Sequence, residues 1–409
     1  VSRLRPLVVL LVLGSGALAG AEDAPRKRPG RFKVGPLFLT PKINLRTLGV
    51  DSNVYRTESD AIQDSSAGLA GTLDFRTRPE RALGLGGQAS LAANWFGDQH
   101  SQRSLDRSLG AKLSYVAGPL TLSGGGNLLR SKQRFTIDFD QRIPRAEDTV
   151  EGSARFVFRR RSSLLLRGSQ VATTFDASTL TAGVVKASLD RTSTLAGAEL
   201  RIGITNRTSL LLSSELARDH FVNETLGGEA KSRRHLAGLE MGLAALVSGQ
   251  LLFGVQEFPE GADQGAPPRR DLAVEAKLSM PTFPLGRLEG GYRRTVGYAA
   301  RPADVGGTAQ RNTFLSGRWE ARLARELPES LIGRLEWSRE TTGYSLPYVT
   351  ASGETVRDEH YRSIGLSLLR AFGRNLRLGG QVVRYRRDST LPGADFASTT
   401  YGFQGEWVP

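Results

Sequence analysis

Leu83-Gly84-Leu85-Gly86-Gly87-Gln88-Ala89-Ser90-Leu91-Ala92-Ala93-Asn94-Trp95 puts an apolar or small residue at every odd position and polar or small ones between. A period of two is that of a β-strand with one face toward an apolar medium; a helix would repeat every 3.6 residues. The stretch is also long. Strands of globular proteins usually run about 5–6 residues, whereas a strand tilted across a bilayer needs about 9–11.

The same alternation recurs on both sides of this segment. Leu69, Gly71, Leu73 and Phe75 precede it; Leu105, Leu109, Ala111, Leu113 and Tyr115 follow, then Val150, Gly152, Ala154, Phe156 and Phe158. Farther on come Leu272, Val274, Ala276, Leu278 and Met280, then Thr313, Leu315, Gly317, Trp319, Ala321 and Leu323. About eighteen such segments can be parsed: near 37–49, 64–76, 82–96, 103–115, 119–133, 147–159, 162–174, 193–205, 208–220, 234–246, 250–258, 270–280, 285–297, 311–323, 330–341, 359–369, 375–387 and 397–408.

Their connections sort by length. Tight ones fall at Arg78-Pro79-Glu80, Ala117-Gly118, Arg160-Arg161, Asn206-Arg207, Ser248-Gly249, Thr282-Phe283-Pro284, Glu326-Leu327-Pro328 and Phe372-Gly373-Arg374. Longer polar ones, such as 50–63, 134–146, 175–192 and 342–358, alternate with them. An outer-membrane barrel has short periplasmic turns and long outer loops, and a sheet in lipid must close so that every backbone group is paired. The expected fold is therefore all-β: a transmembrane antiparallel up-and-down β-barrel of about 18 strands in the bacterial outer membrane. Eighteen strands leave a water-filled lumen.

With the apolar face outward, charged residues fall inward. Arg318, Glu320 and Arg322 do so on one strand, and Arg334 and Glu336 on the next. A turn centred on Leu327 would set Glu320 opposite Arg334 and Arg318 opposite Glu336; the hairpin before it would set Lys277 opposite Glu289. Arg155, Arg167 and Arg201 join them as expected lumen groups, with Asp74, Arg76, Lys112, Glu151, Gln381, Gln404 and Glu406. The solvated face of a soluble sheet is the competing reading. Trp95, Phe96, Tyr115, Tyr298, Trp337, Tyr385 and Trp407 lie near strand ends and are expected to form interfacial girdles. The 47 glycines in 409 residues, several paired inside strands, permit the bending that closure needs.

Ahead of the strands, a basic stretch Ser2-Arg3-Leu4-Arg5-Pro6, an aliphatic run Leu7–Leu13 and the small residues Ala17-Leu18-Ala19 have the layout of a cleaved signal peptide over 1–21. A buried N-terminal helix would tolerate Gly14, Gly16 and Gly20 poorly. Residues 22–36 read as a basic flexible leader, and 37–409 as the barrel.

Two ends resemble known families. The closing strand Tyr401-Gly402-Phe403-Gln404-Gly405-Glu406-Trp407 resembles the C-terminal signal of bacterial outer-membrane barrels; here Val408 and Pro409 follow the last aromatic. Tyr401, Phe403 and Trp407 would be read by the barrel-assembly machinery. Near the other end, Leu45-Arg46-Thr47-Leu48-Gly49-Val50-Asp51-Ser52-Asn53-Val54-Tyr55-Arg56 resembles the opening of a porin-like barrel family often encoded beside exopolysaccharide-export genes, in which the first strand runs into an Asp-x-Asn-Val-Tyr turn. That resemblance implies the outer-membrane component of polysaccharide secretion, with periplasmic polysaccharide-export proteins as partners. The residues themselves leave open a passive porin for small hydrophilic or anionic solutes, and a plugged barrel acting as scaffold or receptor.

Chemistry is sparse. There is no cysteine, so thiolate metal sites, iron–sulfur clusters and cysteine nucleophiles are excluded. HExxH and GxSxG are absent. His100, His220 and His360 fall in loops or at strand ends; His235 opens a strand three residues after Ser232, with no evident third group for catalysis. Asp138, Asp140, Glu147 and Asp148 flank one long loop and have the oxygen ligands for Ca²⁺, but they read as a solvated acidic loop. No enzyme activity, cofactor or metal is expected. The formal charge of +14 is spread through loops, turns and lumen, which argues against nucleic acid. It favours anionic solutes in a net-basic lumen, and lipopolysaccharide phosphates around the loops.

Overall fold

The computed structural model describes residues 32–77, 82–133, 142–159, 161–176, 180–223, 228–242, 246–259, 268–282, 286–301, 310–345, 348–350 and 353–408. The expected signal segment 1–21, the leader as far as residue 31, Asp138 and Asp140, and the turn residues Arg78-Pro79-Glu80 and Phe283-Pro284 lie outside them.

The alternating stretches become eighteen long strands of one sheet: β1 (Leu37–Asp51), β2 (Asp64–Thr77), β3 (Leu83–Phe96), β4 (Ser104–Ala117), β5 (Leu120–Gln133), β6 (Ile143–Arg159), β7 (Ser162–Phe175), β8 (Arg191–Gly203), β9 (Thr208–Phe221), β10 (Glu229–Met241), β11 (Ser248–Phe258), β12 (Arg269–Thr282), β13 (Gly286–Arg301), β14 (Gln310–Leu327), β15 (Leu331–Tyr344), β16 (Asp358–Phe372), β17 (Leu376–Ser389) and β18 (Phe396–Trp407). Each pairs antiparallel with the next, and β18 returns to β1 through Ile43↔Trp407 and Val50↔Tyr401. The sheet is thus a closed antiparallel barrel, which leaves no strand edge for lipid to meet. A short strand, Phe32–Val34, doubles back on the start of β1, so the end of the expected leader joins the sheet.

The closing seam has its own chemistry. β1 bulges at Arg46, where its register shifts toward both β2 and β18. The Gln381 amide donates to the Arg46 carbonyl (2.7 Å) and the Thr47 hydroxyl (2.8 Å), fixing the bulge from two strands away. Gly49 stands opposite Gly402. A Cβ on Gly49 would meet the Tyr401 carbonyl at 1.9 Å, and one on Gly402 the Leu48 carbonyl at 2.6 Å, so only glycine permits this approach.

Connections alternate around the barrel as expected: short ones such as 118–119, 160–161, 328–330 and 373–375 at one rim, long ones such as 52–63, 176–190 and 345–357 at the other. One strand is displaced from its expected place. The segment expected at 234–246 is β10, which begins five residues earlier, at Glu229, and ends at Met241.

The outward face is apolar and bare: Leu105 and Leu366 are each 61 % exposed and Phe403 68 %. Such a belt on a closed sheet suits lipid and not water. No helix among the described residues is long and apolar enough to cross a membrane; the strands do the crossing. The molecule is a bacterial outer-membrane barrel, its short-turn rim periplasmic. The aromatic girdle needs correction. Trp95, Tyr115 and Trp337 are exposed on the outward face, and Trp407 is half-buried. Phe96 and Tyr298 are buried, and Tyr385 packs inward beneath Arg56. Phe96 directly follows the outward Trp95, so strand alternation turns it in.

Candidate functional site

The interior of the barrel is the candidate site, and the segment that shapes it most is the connection between β7 and β8. Helix α1 (Leu180–Leu189) lies there, touching β7 beside it and β13 and β14, six and seven strands farther round. It therefore spans a chord of the interior. Val185 and Leu189 are fully buried, packed with Ile143, Phe175, Phe221, Ala230, Phe258 and Tyr298 from the outer ends of the strands. The sequence reading placed a polar loop here. The apolar spacing of Leu180, Val184, Val185 and Leu189 in a segment otherwise outside the strands is the signal that could have found it.

Polar side chains fasten α1 at its end. Asp190 accepts from the Phe175 backbone N–H (2.7 Å) and from the Lys186 ammonium (2.8 Å), and its carbonyl accepts from Val222 N–H (2.9 Å). Arg191 donates to the Leu189 carbonyl (3.2 Å) and lies 3.8 Å from Asp219, which also accepts the Tyr298 hydroxyl (3.1 Å). Arg191 and Asp219 are nearly inaccessible to solvent, and the guanidinium stacks 5.8 Å from the Phe221 and Tyr298 rings. A buried pair of this kind is held by geometry; removing either partner leaves a charge uncompensated.

Below α1 the wall is a ladder of ion pairs on the inward face. Arg318 pairs with Glu320 on its own strand and reaches Glu340 at 3.7 Å; Arg322 reaches Glu336 at 3.4 Å. These replace the expected partners. The observed register sets Arg318 opposite Glu340, Glu320 opposite Ser338, Arg322 opposite Glu336 and Arg334 opposite Ala324. The turn is centred on Glu329, two residues beyond the expected Leu327, because Glu329 and Ser330 both adopt positive φ (59° and 61°) after Pro328. Lys277 likewise stands opposite Gly291, and Glu289 opposite Ser279, where it takes a 3.3 Å ion pair from Arg287. Both slips move the partner by an even number of residues, which exchanges neighbours and keeps every side chain on its face.

Two ion pairs pass over a glycine. Lys112 on β4 meets Glu151 on β6 at 3.3 Å across Gly125 of β5. Arg167 on β7 meets Glu215 on β9 across Gly197 of β8, where a Cβ would stand 3.2 Å from the Arg167 Nε. Arg201 reaches over β9 to Glu240 on β10 at 2.8 Å. Arg234 joins Glu215 (3.8 Å) to Glu275 (3.0 Å). Most mid-height cations of the inward wall therefore have a carboxylate neighbour. Outside this pattern stand Arg46 at the mid-height bulge of β1, exposed and without an ion pair among the described residues, and three cations near the short-turn rim. Arg155, Lys277 and Arg334 have no carboxylate within ion-pair distance among the described residues, and all three lie within a few residues of the short-turn rim.

The Asp51-to-Tyr55 turn is a lock at the outer end of the seam. Asp51 accepts from Asn53 N–H (3.0 Å) and from the Ser398 hydroxyl (2.7 Å). The buried Asn53 amide donates to the carbonyls of Thr57 (2.8 Å) and Ala397 (3.2 Å), and the Tyr55 hydroxyl donates to Gln99 (2.7 Å). The turn thereby ties β1, β18 and the next loop.

His235 does not meet Ser232. Its Nδ1 lies 3.0 Å from the hydroxyl of Ser214, its partner across the β9–β10 ladder. Both face outward at mid-height, and no acid or amide among the described residues holds the other ring nitrogen, so the pair lacks the third group of a hydrolase. On β18, Tyr401 and Phe403 face outward and exposed, and Trp407 pairs with Ile43 and Leu376.

No protein-family model matches the chain, and no curated protein matches it in sequence. Among solved structures, the outer-membrane protein OpdK from Pseudomonas aeruginosa is similar at 13 % identity and TM-score 0.49, over 91 % of this chain and 98 % of that one. OpdO from the same organism is similar at 14 % identity and TM-score 0.48, over 90 % and 97 %. A bacterial polysaccharide outer membrane secretin is similar at 9 % identity and TM-score 0.35, over 92 % and 99 %. These are likenesses of barrel architecture alone; the chain's own closed sheet, bare apolar belt and charged interior make it a porin-like outer-membrane β-barrel.

Proposed function

We propose that the protein is a water-filled channel that passes hydrophilic solutes carrying negative charge, and that its cargo is an acidic polysaccharide leaving the cell. The observation that carries this reading is the distribution of charge inside the barrel. Most mid-height cations have a carboxylate neighbour, Arg46 at the β1 bulge being an exception, while among the described residues Arg155, Lys277 and Arg334 stand unpaired together near the periplasmic mouth, where cargo bound outward arrives. Unpaired cations at a mouth raise the local concentration of anions without trapping them deep in the pore. Arg318, Glu320, Arg322, Glu336, Glu289, Arg167 and Arg201 then line the wall as a polar, matched surface. The resemblance of the segment from Leu45 to Arg56 to a polysaccharide-export barrel supports the class of cargo. Tyr401, Phe403 and Trp407 would serve assembly, and periplasmic export proteins would deliver the polymer.

The chord made by α1 favours a second reading, a passive porin for small anionic solutes, because a helix across the bore limits what passes. Current through single channels in a planar bilayer separates the two. Export predicts current block by an acidic polysaccharide added at the periplasmic side. A passive porin predicts passage of small anions and no block by the polymer.

A further inference from the structure

The outward face carries a second charged feature that the channel does not use. Arg339 on β15, Arg362 on β16 and Arg386 on β17 stand directly opposite one another across two successive strand pairs. All three are exposed, as is Arg384, one pleat below Arg386 on the same face. Their neighbours inward, Glu340, Tyr361 and Tyr385, point the other way. Immediately below the row lies the apolar belt, with Trp337, Ile364 and Val382 exposed. The row therefore sits where the belt ends on the outer side, at the depth of lipid headgroups.

Like charges directly opposite on a sheet repel, and facing hydrocarbon they would be worse. At several other places near this rim outward cations meet acids: Arg218 meets Glu229 at 2.7 Å, Arg270 meets Glu257 at 3.1 Å, and Arg130, which faces Arg107, pairs with Asp148. In the row only Arg386 has such an answer, Asp388 at 2.7 Å. Arg339, Arg362 and Arg384 have no carboxylate partner among the described residues. We propose that the row is a binding site for a phosphorylated glycolipid of the outer leaflet. Its phosphates would lie between the guanidiniums and its acyl chains against the belt. Strands about 4.8 Å apart spread three guanidiniums over about 10 Å, and arginine's planar fork grips phosphate oxygens in pairs. Alternating apolar belt and cationic row match the two halves of such a lipid. A free phosphate would use the row alone; the commitment to a lipid rests on their continuity.

The test uses the folded barrel in detergent and native mass spectrometry with three probes: diphosphorylated lipid A, the same lipid dephosphorylated, and phosphatidylglycerol. The barrel is expected to retain diphosphorylated lipid A at least about ten-fold more tightly than the dephosphorylated form. The R339Q/R362Q/R386Q variant is expected to lose that preference, and the R325Q/R370Q variant, altered on the same face nearer the other rim, to keep it. Unchanged single-channel conductance checks folding of both. Equal binding of the phosphorylated and dephosphorylated lipids by the unaltered barrel would overturn the proposal without any variant. Retention of the preference by the triple variant would do so too, and phosphatidylglycerol binding as tightly as lipid A would refute the glycolipid.

Discussion

Single side chains divide into those that balance one another and those left to act on solutes. Arg318 sits between Glu320 and Glu340, whereas Arg334 has no such partner among the described residues. Arg318→Glu should therefore gather three carboxylates, lower the thermal unfolding temperature and broaden the transition. Arg334→Glu should leave that temperature within a few degrees and move the reversal potential toward cations. Both are read from one pair of purified variants, by differential scanning calorimetry and bi-ionic recordings. Asp219→Ala should be costlier, about 3–5 kcal/mol, because it leaves Arg191 buried without its carboxylate. Asp219→Asn keeps the shape and the bond to Tyr298 and should recover part of it in urea unfolding. The residue types of the inward face were legible from alternation alone, since period two assigns every side chain to a face. Their partners were not. Glu329 and Ser330 turn through positive φ without a glycine to mark them, so the register around Pro328 had no local sign.

At the scale of elements, eighteen strands and their alternating connections could be read from the chain because lipid demands long strands and an apolar outer face. Helix α1 left only its short apolar spacing as a sign, because Val185 and Leu189 answer to partners distant in sequence: Phe221 on β9, Phe258 on β11 and Tyr298 on β13. Tyr298 was expected at the membrane interface for the same reason; near a strand end, sequence does not say whether the hairpin leans inward. Deleting residues 177–189 should widen the bore and raise unit conductance at least about two-fold, with the barrel still folded by its heat-resistant mobility on gels. An unchanged conductance would mean that α1 does not lie across the path. At the seam, Gly402→Val should block closure between β1 and β18, since even a Cβ there would stand 2.6 Å from the Leu48 carbonyl. The expected readout is loss of the heat-modifiable form in refolding assays, while Gly380→Val, with its nearest contact at 3.9 Å, should refold.

For the whole molecule, three surfaces follow from one alternating pattern. The outward face is apolar at mid-height and carries an arginine row toward its outer end, the inward face is a polar wall of mostly paired charges, and α1 crosses the space it encloses. The opening Asp51-to-Tyr55 turn, read as a family resemblance, proves to be the fastening of the seam at the outer rim. In the proposed channel the interior conducts and prefers anions because of the cations at its periplasmic mouth. Single-channel reversal potential across a salt gradient, for the unaltered barrel and for the R155Q/K277Q/R334Q variant, tests this. Open steps are expected, with an anion preference in the unaltered channel and loss of most of that preference in the variant at unchanged conductance. A preference that survives the three substitutions, or an inserted barrel that never conducts, would contradict it.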